Sequence, residues 1–231
     1  MRIVTWNCNG AFRRKICHID VLDADVLVIQ ECEDPSASTS EYKAWAENYL
    51  WAGSGKNKGI GIFRKNGGSV EPLSWNDGGF QQFLPARIDG HLDILAVWTR
   101  QVAASNFRYI GQFWKYLQLH KAALNANVVI CGDFNSNQIW DKRGRIWNHT
   151  ECVKELEANQ FGSLYHLATN ELQGQESRPT FFLHRNLLKP YHIDYAFAHF
   201  DRIPNDWDGI TVGEPSVWLQ HSDHMPVIID L

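Results

Sequence analysis

An apolar run passes into a polar corner in the stretch Val128-Val129-Ile130-Cys131-Gly132-Asp133-Phe134-Asn135. A short apolar run that is rich in β-branched side chains is typical of a strand buried on both faces. The Gly-Asp-Phe-Asn segment has the composition of a turn, and it places Asp133 and Asn135 where a rigid strand gives way to a loop. Functional side chains are often held at such positions. The stretch therefore predicts a central strand and a candidate catalytic corner.

The same arrangement recurs elsewhere along the chain. Polar side chains that can act as acids, bases or metal ligands lie at or near the ends of other apolar runs. These corners are Trp6-Asn7-Cys8-Asn9-Gly10, Gln30-Glu31, Ile193-Asp194-Tyr195 and Ser222-Asp223-His224. Each alone is compatible with an ordinary turn or a buried hydrogen-bonded pair, but the full set is hard to assign to turns. The set predicts one site at which acidic and amide side chains converge.

Strand-like segments outnumber helical ones around these corners. Runs bounded by Gly, Pro and Asn predict strands at 2–6, 25–29, 60–64, 69–73, 82–88, 92–98, 127–131, 180–183, 192–198, 209–212 and 225–231. Helical spacing predicts helices over 13–22, 106–121 and 150–159. Hairpin-like neighbours alternate with helical crossovers, and no linker is evident. We expect one α+β domain over residues 1–231, with two mixed sheets packed face to face and helices outside.

Composition and charge restrict the function. Hydrophobic residues make up 44% of the 231 residues and charged residues 21%, as in ordinary globular proteins. A net charge of −4 argues against a strongly basic nucleic-acid coat but allows a local basic rim. No apolar run approaches the ~18 residues of a membrane helix, and the N-terminus lacks a signal-peptide pattern. The five cysteines form no Cys-x-x-Cys pair, so we expect free thiols, a cytoplasmic setting and no membrane association.

Taken together, the corners resemble the endonuclease/exonuclease/phosphatase superfamily, which has the deoxyribonuclease I-like fold. The nearest motifs are those of exonuclease III-type abasic-site endonucleases. The matching segments are Thr5-Trp6-Asn7-Cys8-Asn9-Gly10, Ile29-Gln30-Glu31, Cys131-Gly132-Asp133-Phe134-Asn135, His192-Ile193-Asp194-Tyr195 and Ser222-Asp223-His224-Met225-Pro226. They span nearly the whole chain. The resemblance implies a four-layer α/β/β/α sandwich and the cleavage of phosphate esters with a divalent cation.

The chemistry of the acidic residues agrees with a metal site. Gathered in one pocket, Glu31, Asp133, Asp194 and Asp223 would resist joint ionisation, and a hard divalent cation would offset their repulsion. Oxygen ligands favour Mg²⁺, with Mn²⁺ as a substitute, over zinc. We expect Glu31 to be the main metal ligand, aided by Asn9 and Asp223. Whether one metal or two would act is left open.

The remaining motif residues are assigned to catalysis. The resemblance implies in-line attack of water on a phosphate ester, with Asp133 as the base that activates the water. Asn135 and Asn7 would orient that water or a phosphate oxygen. Asp194 would hold His224, as a carboxylate holds the histidine of a serine-protease triad. His224 is then a base or a charged clamp on the phosphate, and nearby carboxylates favour the clamp.

One position departs from the family pattern. The family usually has Tyr or His at the end of the strand predicted at 92–98, whereas this chain has Trp98, which offers only an indole N–H donor. Arg100 could replace the missing phosphate contact or could be an ordinary solvated arginine. Other candidate substrate contacts lie in predicted loops or beside a predicted helix, namely Arg108, His184, Arg185 and Tyr191. Ten Trp residues are scattered along the chain, and position alone does not reveal which of them line a groove.

Several functions remain compatible with this sequence. We expect a monomeric DNA endo- or exonuclease, because a basic rim around an acidic, metal-loaded centre suits a polyanion. A phosphodiesterase or phosphatase acting on a small or lipid-linked phosphate is the alternative within the same enzyme class. A non-catalytic nucleic-acid-binding domain of the same fold is the second alternative, which the intact acidic motif residues disfavour.

Overall fold

The computed structural model describes residues 1–80, 83–101 and 107–231. The strands are β1 (Arg2–Asn7), β2 (Val26–Cys32), β3 (Asn48–Gly55), β4 (Lys58–Arg64), β5 (Val70–Pro72), β6 (Phe83–Ile88), β7 (Leu92–Trp98), β8 (Val128–Asp133), β9 (Phe161–Ser163), β10 (Phe181–Phe182), β11 (Pro190–Tyr191), β12 (Asp194–His199), β13 (Ile210–Val212) and β14 (Val227–Asp230). The α-helices are α1 (Ile16–Asp20), α2 (Ser40–Ala46), α3 (Ile110–His120), α4 (His149–Ala158), α5 (Leu164–Thr169) and α6 (Pro215–Trp218).

The described strands form two six-stranded mixed sheets and a short hairpin of β10 and β11. The first sheet has the order β13-β14-β1-β2-β4-β3, and the second has the order β5-β6-β7-β8-β12-β9. The parallel pair β1 and β2 aligns Asn7 with Gln30, and the parallel pair β7 and β8 aligns Trp98 with Asp133. The antiparallel pair β8 and β12 places Asp133 opposite Asp194. These registers bring the predicted polar corners to strand ends at one edge of the molecule.

The main core lies between the two sheets. Because side chains alternate along a strand, Val26 and Val28 of β2 face the second sheet while Leu27 and Ile29 face outward. The second sheet contributes small and β-branched side chains such as Val129, and the apolar layer between the sheets is continuous. Burying both faces explains why β2 and β8 each begin with an uninterrupted apolar run in the sequence.

Helices cover the outer faces of both sheets. Ile19 of α1, Tyr42 of α2 and Trp218 of α6 pack on the first sheet. Phe113 of α3 and Leu156 of α4 pack on the second sheet. The layers therefore follow the order helix, sheet, sheet, helix, which confirms the predicted α+β sandwich.

The local predictions match the structure to different degrees. β7 has the predicted bounds, whereas the predicted helix at 13–22 reduces to a 3₁₀ turn and the five residues of α1. Sequence periodicity missed α2, which begins where the Thr39 hydroxyl accepts a hydrogen bond from the Tyr42 N–H. Gln82 and Asn106, which begin two predicted elements, lie outside the described residues.

Two expectations from the sequence concern the cysteines and membrane-spanning helices. All five cysteines are free thiols; Cys17 is exposed and the other four are buried, as expected for small core hydrophobes. Within the described ranges, no helix has both the length and the apolar character needed to cross a bilayer.

Candidate active site

The second sheet supplies two buried carboxylates at the end of β8. Asp133 and Asp194 are Cα partners across the antiparallel ladder and are almost fully buried. The close approach of β7 requires glycine next to Asp133, because a Cβ on Gly132 would lie 1.9 Å from the carbonyl oxygen of Val97. Gly132 therefore allows β7 and β8 to pair closely, and this pairing holds Asp133 at the end of β8.

The Asp133 carboxylate is held by amide groups. It accepts hydrogen bonds from the backbone N–H of Asn135 (2.8 Å), from the Asn135 side-chain amide (2.8 Å) and from the Asn7 side-chain amide (2.9 Å). The Asn135 amide also donates to the Thr99 carbonyl at 2.9 Å, which fixes its orientation. A carboxylate with this many donors keeps a defined position, and its oxygens can orient a water molecule.

His224 lies between the two carboxylates. Its Nδ1–H donates to Asp194 at 2.9 Å, and its Nε2 lies 4.0 Å from the nearer oxygen of Asp133. The Ser222 hydroxyl accepts a hydrogen bond from the His224 backbone N–H at 3.0 Å and donates to the Asn7 carbonyl at 2.7 Å. The ring of Phe181 packs against the imidazole with centroids 4.6 Å apart. The loop before β14 therefore presents Nε2 toward Asp133.

Burial and charge shift the pKa values of this group. Burial alone would lower the pKa of His224, but the Asp194 and Asp133 carboxylates outweigh it and raise that pKa, so the imidazolium is favoured at neutral pH. Burial raises the pKa of Asp133 and Asp194 adds to the increase, while His224 and the Asn7 amide partly oppose it. Asp133 is therefore a stronger base than an exposed aspartate.

The first sheet contributes Glu31 and the two asparagines of the β1 corner. Glu31 has φ of 63° at a bulge where the β2–β4 register shifts between Gln30 and Cys32. The Glu31 carboxylate accepts from the Asn7 amide at 3.5 Å and forms an ion pair with Lys58. The Asn7 amide thereby links Glu31 to the buried carboxylates of the second sheet.

Asn9 and Asp223 meet beside this link. The Asn9 amide donates to Asp223 at 2.9 Å, and its backbone N–H donates to the Asn7 amide oxygen at 3.0 Å. Asn9 is exposed and Asp223 is half-buried. Each of the eight residues predicted to act in catalysis or metal binding therefore contacts at least one other member of the set.

The densest group of donor atoms differs from the predicted metal ligands. Among the described residues, Asp133, Asp194 and His224 place three carboxylate or imidazole donor atoms within 4.8 Å of one another. These three already satisfy one another through a hydrogen bond and an ion pair. Glu31 and Asp223 instead have oxygens near the surface, where the Lys58 ammonium is the positive charge beside Glu31.

The predicted substrate contacts fall into different environments. Trp98 is buried in the core between the sheets, and little of its indole is open to a substrate. The Arg100 guanidinium lies 5.1 Å from the Trp98 ring centroid. His184 and Arg185 are exposed on the turn between β10 and β11, and Arg185 donates to the carbonyls of Gln220 and His221. Arg185 therefore supports the loop that leads to Ser222 and His224.

A cleft of about 530 Å³ adjoins Asn135. Its lining includes Arg108, as expected for a substrate contact, together with Trp140, Lys142, Trp147 and Phe181. The sequence pattern selected Arg108 but neither tryptophan, because both lie in a segment without a regular pattern. Tyr191 is half-buried and packs against the Trp140 ring.

A second buried polar network lies behind Asp194 and was not predicted. The Asn137 amide donates to the His192 carbonyl (3.0 Å), to the Tyr195 hydroxyl (3.1 Å) and to Glu176 (3.1 Å). Burial would raise the pKa of Glu176, but hydrogen bonds from His166 and a backbone N–H lower it to about 2. This network supports the start of β12 from the side opposite His224.

His149 joins the same network from α4. Its Nε2–H donates to Gln173 at 3.1 Å, and its ring packs against Tyr195 with centroids 4.9 Å apart. Burial lowers the pKa of His149 to about 4, although Asp141 and Glu176 partly oppose that shift. His149 is therefore neutral at physiological pH.

The sequence profile of the Endonuclease/Exonuclease/phosphatase family matches residues 4–224 of the chain. This match covers nearly all of the sequence, so the protein belongs to that family. No curated protein matches the chain significantly.

Solved structures of low sequence identity share the fold. The 3'-5' exonuclease (NExo) from Neisseria Meningitidis has a TM-score of 0.71 and 17% identity, with 100% of this chain and 99% of that chain covered. The 3' phosphatase NExo from Neisseria bound to product DNA hairpin has a TM-score of 0.71 and 16% identity, with 100% and 99% covered. An AP endonuclease from Archaeoglobus fulgidus has a TM-score of 0.69 and 17% identity, with both chains covered over 100%. These likenesses confirm the deoxyribonuclease I-like architecture.

Proposed function

We propose that the protein is a divalent-metal-dependent phosphodiesterase that acts on DNA as an endo- or exonuclease. The observation that carries the proposal is the environment of Asp133. This buried carboxylate is fixed by the amides of Asn7 and Asn135 and faces His224, with Glu31 one amide away. A basic carboxylate, a positively charged imidazole and a second, more open acidic group suit the hydrolysis of a phosphate ester.

The residues near the surface fit a hard divalent cation. Glu31, Asp223 and the amide oxygen of Asn9 are oxygen donors, which favour Mg²⁺ and its common substitute Mn²⁺. The Lys58 ammonium at the Glu31 carboxylate shows that this position attracts positive charge. When bound, the ion would neutralise charge that builds up on the phosphoryl oxygens.

The buried residues have complementary roles in the proposed hydrolysis. Asp133 accepts a proton from the attacking water, whose oxygen forms the new bond to phosphorus as the bond to the leaving sugar oxygen breaks. The amides of Asn7 and Asn135 hold Asp133 and the water in position. His224, kept in orientation and charge by Asp194, donates from Nε2 to a phosphoryl oxygen. Such preorganised charge is usually the largest contribution to catalysis.

DNA is the favoured substrate for two reasons. One solved structure of the same fold is a 3' phosphatase bound to product DNA hairpin. The cleft beside Asn135 carries several cationic side chains, Arg108, Lys142 and Arg145, which suit a polyanion.

A panel of three substrates tests the proposal. A duplex with one abasic site, a plain plasmid and bis-p-nitrophenyl phosphate are each incubated with Mg²⁺ or with a chelator. We expect Mg²⁺-dependent cleavage of at least one DNA substrate. Cleavage of the small ester alone would replace the nuclease with a phosphodiesterase or phosphatase of small or lipid-linked phosphates. DNA binding without any turnover would instead indicate a binding domain.

The proposal extends to the domain organisation and the setting of the protein. We further propose that residues 1–231 act as one domain and as a monomer. Five free thiols, of which Cys17 is exposed, suit a reducing compartment such as the cytoplasm.

A further inference from the structure

One wall of the cleft beside Asn135 is aromatic and leads to the catalytic histidine. Trp140 is 42% exposed, and its ring packs on Tyr191 with centroids 5.2 Å apart. Tyr191 in turn lies 6.3 Å from Phe181, whose ring packs on His224. An exposed indole at the outer end of this row is available to stack on a flat group.

A second indole and several cations also line the cleft. The ring of Trp147 packs so closely on α3 that a Cβ on Gly111 would lie 2.7 Å from it. The Arg145 guanidinium lies 4.4 Å from the Trp147 ring centroid. Arg108 and Lys142 also line the cleft, and both are exposed. The Trp147 indole is therefore held by α3, Phe107 and Arg145, while Arg108 and Lys142 add positive charge to the lining.

The volume and the aromatic lining of the cleft distinguish between possible occupants. At about 530 Å³ it falls within the range of roughly 300–1,000 Å³ for sites that enclose small molecules. A sugar without a base has no flat face to stack on the exposed indole of Trp140. A base paired inside a duplex is already stacked on its neighbours and must be released to enter.

We infer that the cleft binds an unpaired nucleotide with its base intact, next to the phosphate that is hydrolysed. The base stacks on the exposed indole of Trp140, and Arg108 and Lys142 contact the adjoining phosphate. This inference rests on the proposed nuclease function and narrows its substrate to single-stranded DNA or an unpaired end. Stacking accepts any base, so little sequence preference is expected.

The test compares oligonucleotides that differ in a single base. A single-stranded oligonucleotide is compared with copies in which the base is removed at one position at a time on either side of the cleavage point, and with the fully paired duplex. Removing the base that occupies the cleft should lower kcat/KM by roughly 5- to 150-fold, the range expected for loss of one stacked base. The paired duplex should be cleaved more slowly than the single strand.

Variants identify the cleft as the origin of this preference. Trp140→Ala should abolish most of the difference between the intact and base-free oligonucleotides, and Trp140→Phe should restore much of it. Arg108→Gln should raise KM for both to a similar extent. Trp75→Ala is the matched control, because Trp75 stacks on His120 outside the cleft, and it should leave the ratio unchanged. Melting temperatures would show that each variant is folded.

The outcomes separate this inference from the proposed function. DNA cleavage that is indifferent to the removed base, or a base preference that survives in Trp140→Ala, would overturn the assignment of the cleft. Equal or faster cleavage of an abasic duplex would overturn it as well. Absence of Mg²⁺-dependent cleavage of every DNA substrate would instead contradict the nuclease function itself.

Discussion

The two halves of the candidate active site differ in how their charges are balanced. The closed half, Asp133, Asp194 and His224, is buried, and its own imidazole lies between the carboxylates. The open half, Glu31, Asn9 and Asp223, lies closer to solvent, and the positive charge at Glu31 comes from the flexible side chain of Lys58. The closed half is complete without a ligand, whereas the open half has oxygen donors that suit an ion from solution.

The strongest test of this comparison is Asp133→Asn in the closed half. The substitution keeps the shape of the side chain but removes the proton acceptor, so turnover should fall by about 10²- to 10⁴-fold, the range for loss of a general base. Steady-state hydrolysis of the best substrate with Mg²⁺ provides the measurement. Because one of two facing carboxylates loses its charge, the fold should survive, as circular dichroism would show.

Near-normal rates in Asp133→Asn would remove Asp133 from the role of base. Asp93→Asn is a suitable control, because Asp93 is also a buried aspartate but pairs with Arg87 at 2.7 Å on the second sheet, away from these residues. Its turnover should remain close to that of the unmodified protein at a temperature where both are folded.

A second prediction concerns the network behind the closed half. The pKa of His149 is lowered to about 4 by burial, whereas an exposed histidine titrates near 6.5. As the pH falls, His149 is protonated in the unfolded chain before it is protonated in the folded protein. The contribution of His149 to the free energy of unfolding is therefore complete above about pH 6.5 and decreases toward pH 4, by up to about 3 kcal/mol. His149→Gln should flatten the pH dependence of the unfolding free energy in this window.

Urea unfolding at several pH values between neutrality and pH 4.5 measures this effect. His91→Gln is the control, because His91 is exposed and its replacement should leave the slope unchanged. If His149→Gln and the unmodified protein lose stability in parallel, buried His149 is not a source of the acid sensitivity.

Local sequence pattern selected candidate residues in both halves, but it did not specify the contacts around all of them. Asp133 ends β8, Asn135 lies just beyond it and Asn7 ends β1, so the local pattern was sufficient to select them as candidates. The Glu31 bulge and the Lys58 ion pair depend on the register between β2 and β4, which a local pattern does not specify.

The elements that were missed depend on tertiary contacts. Trp140 and Trp147 lie in an irregular loop, and only the folded structure shows that they face one cleft. His149 and Glu176 are distant in sequence and meet behind β12 through Tyr195 and Asn137. The layers of the fold, by contrast, were predictable, because buried strands and amphipathic helices have characteristic patterns of apolar residues in the sequence.

The third prediction addresses the open half through Glu31→Ala. A ligand that binds only the folded state stabilises it by mass action, by about 2.7 kcal/mol at a concentration one hundred times its dissociation constant. The variant should lose the Mg²⁺-induced rise in melting temperature together with Mg²⁺-dependent activity. An unchanged magnesium-induced shift would contradict the assignment of Glu31 as a metal ligand.

Lys58→Ala provides the opposite control and the smallest expected effect. Because the Lys58 ammonium competes for the Glu31 carboxylate, its removal should leave the Mg²⁺-induced shift intact or shift its midpoint to lower Mg²⁺ concentration. An exposed ion pair contributes at most about 1 kcal/mol, so the change in midpoint should be no more than about fivefold. If Lys58→Ala abolished the shift as Glu31→Ala does, Lys58 would be needed to shape the open half, and it would not be the occupant that a metal ion displaces.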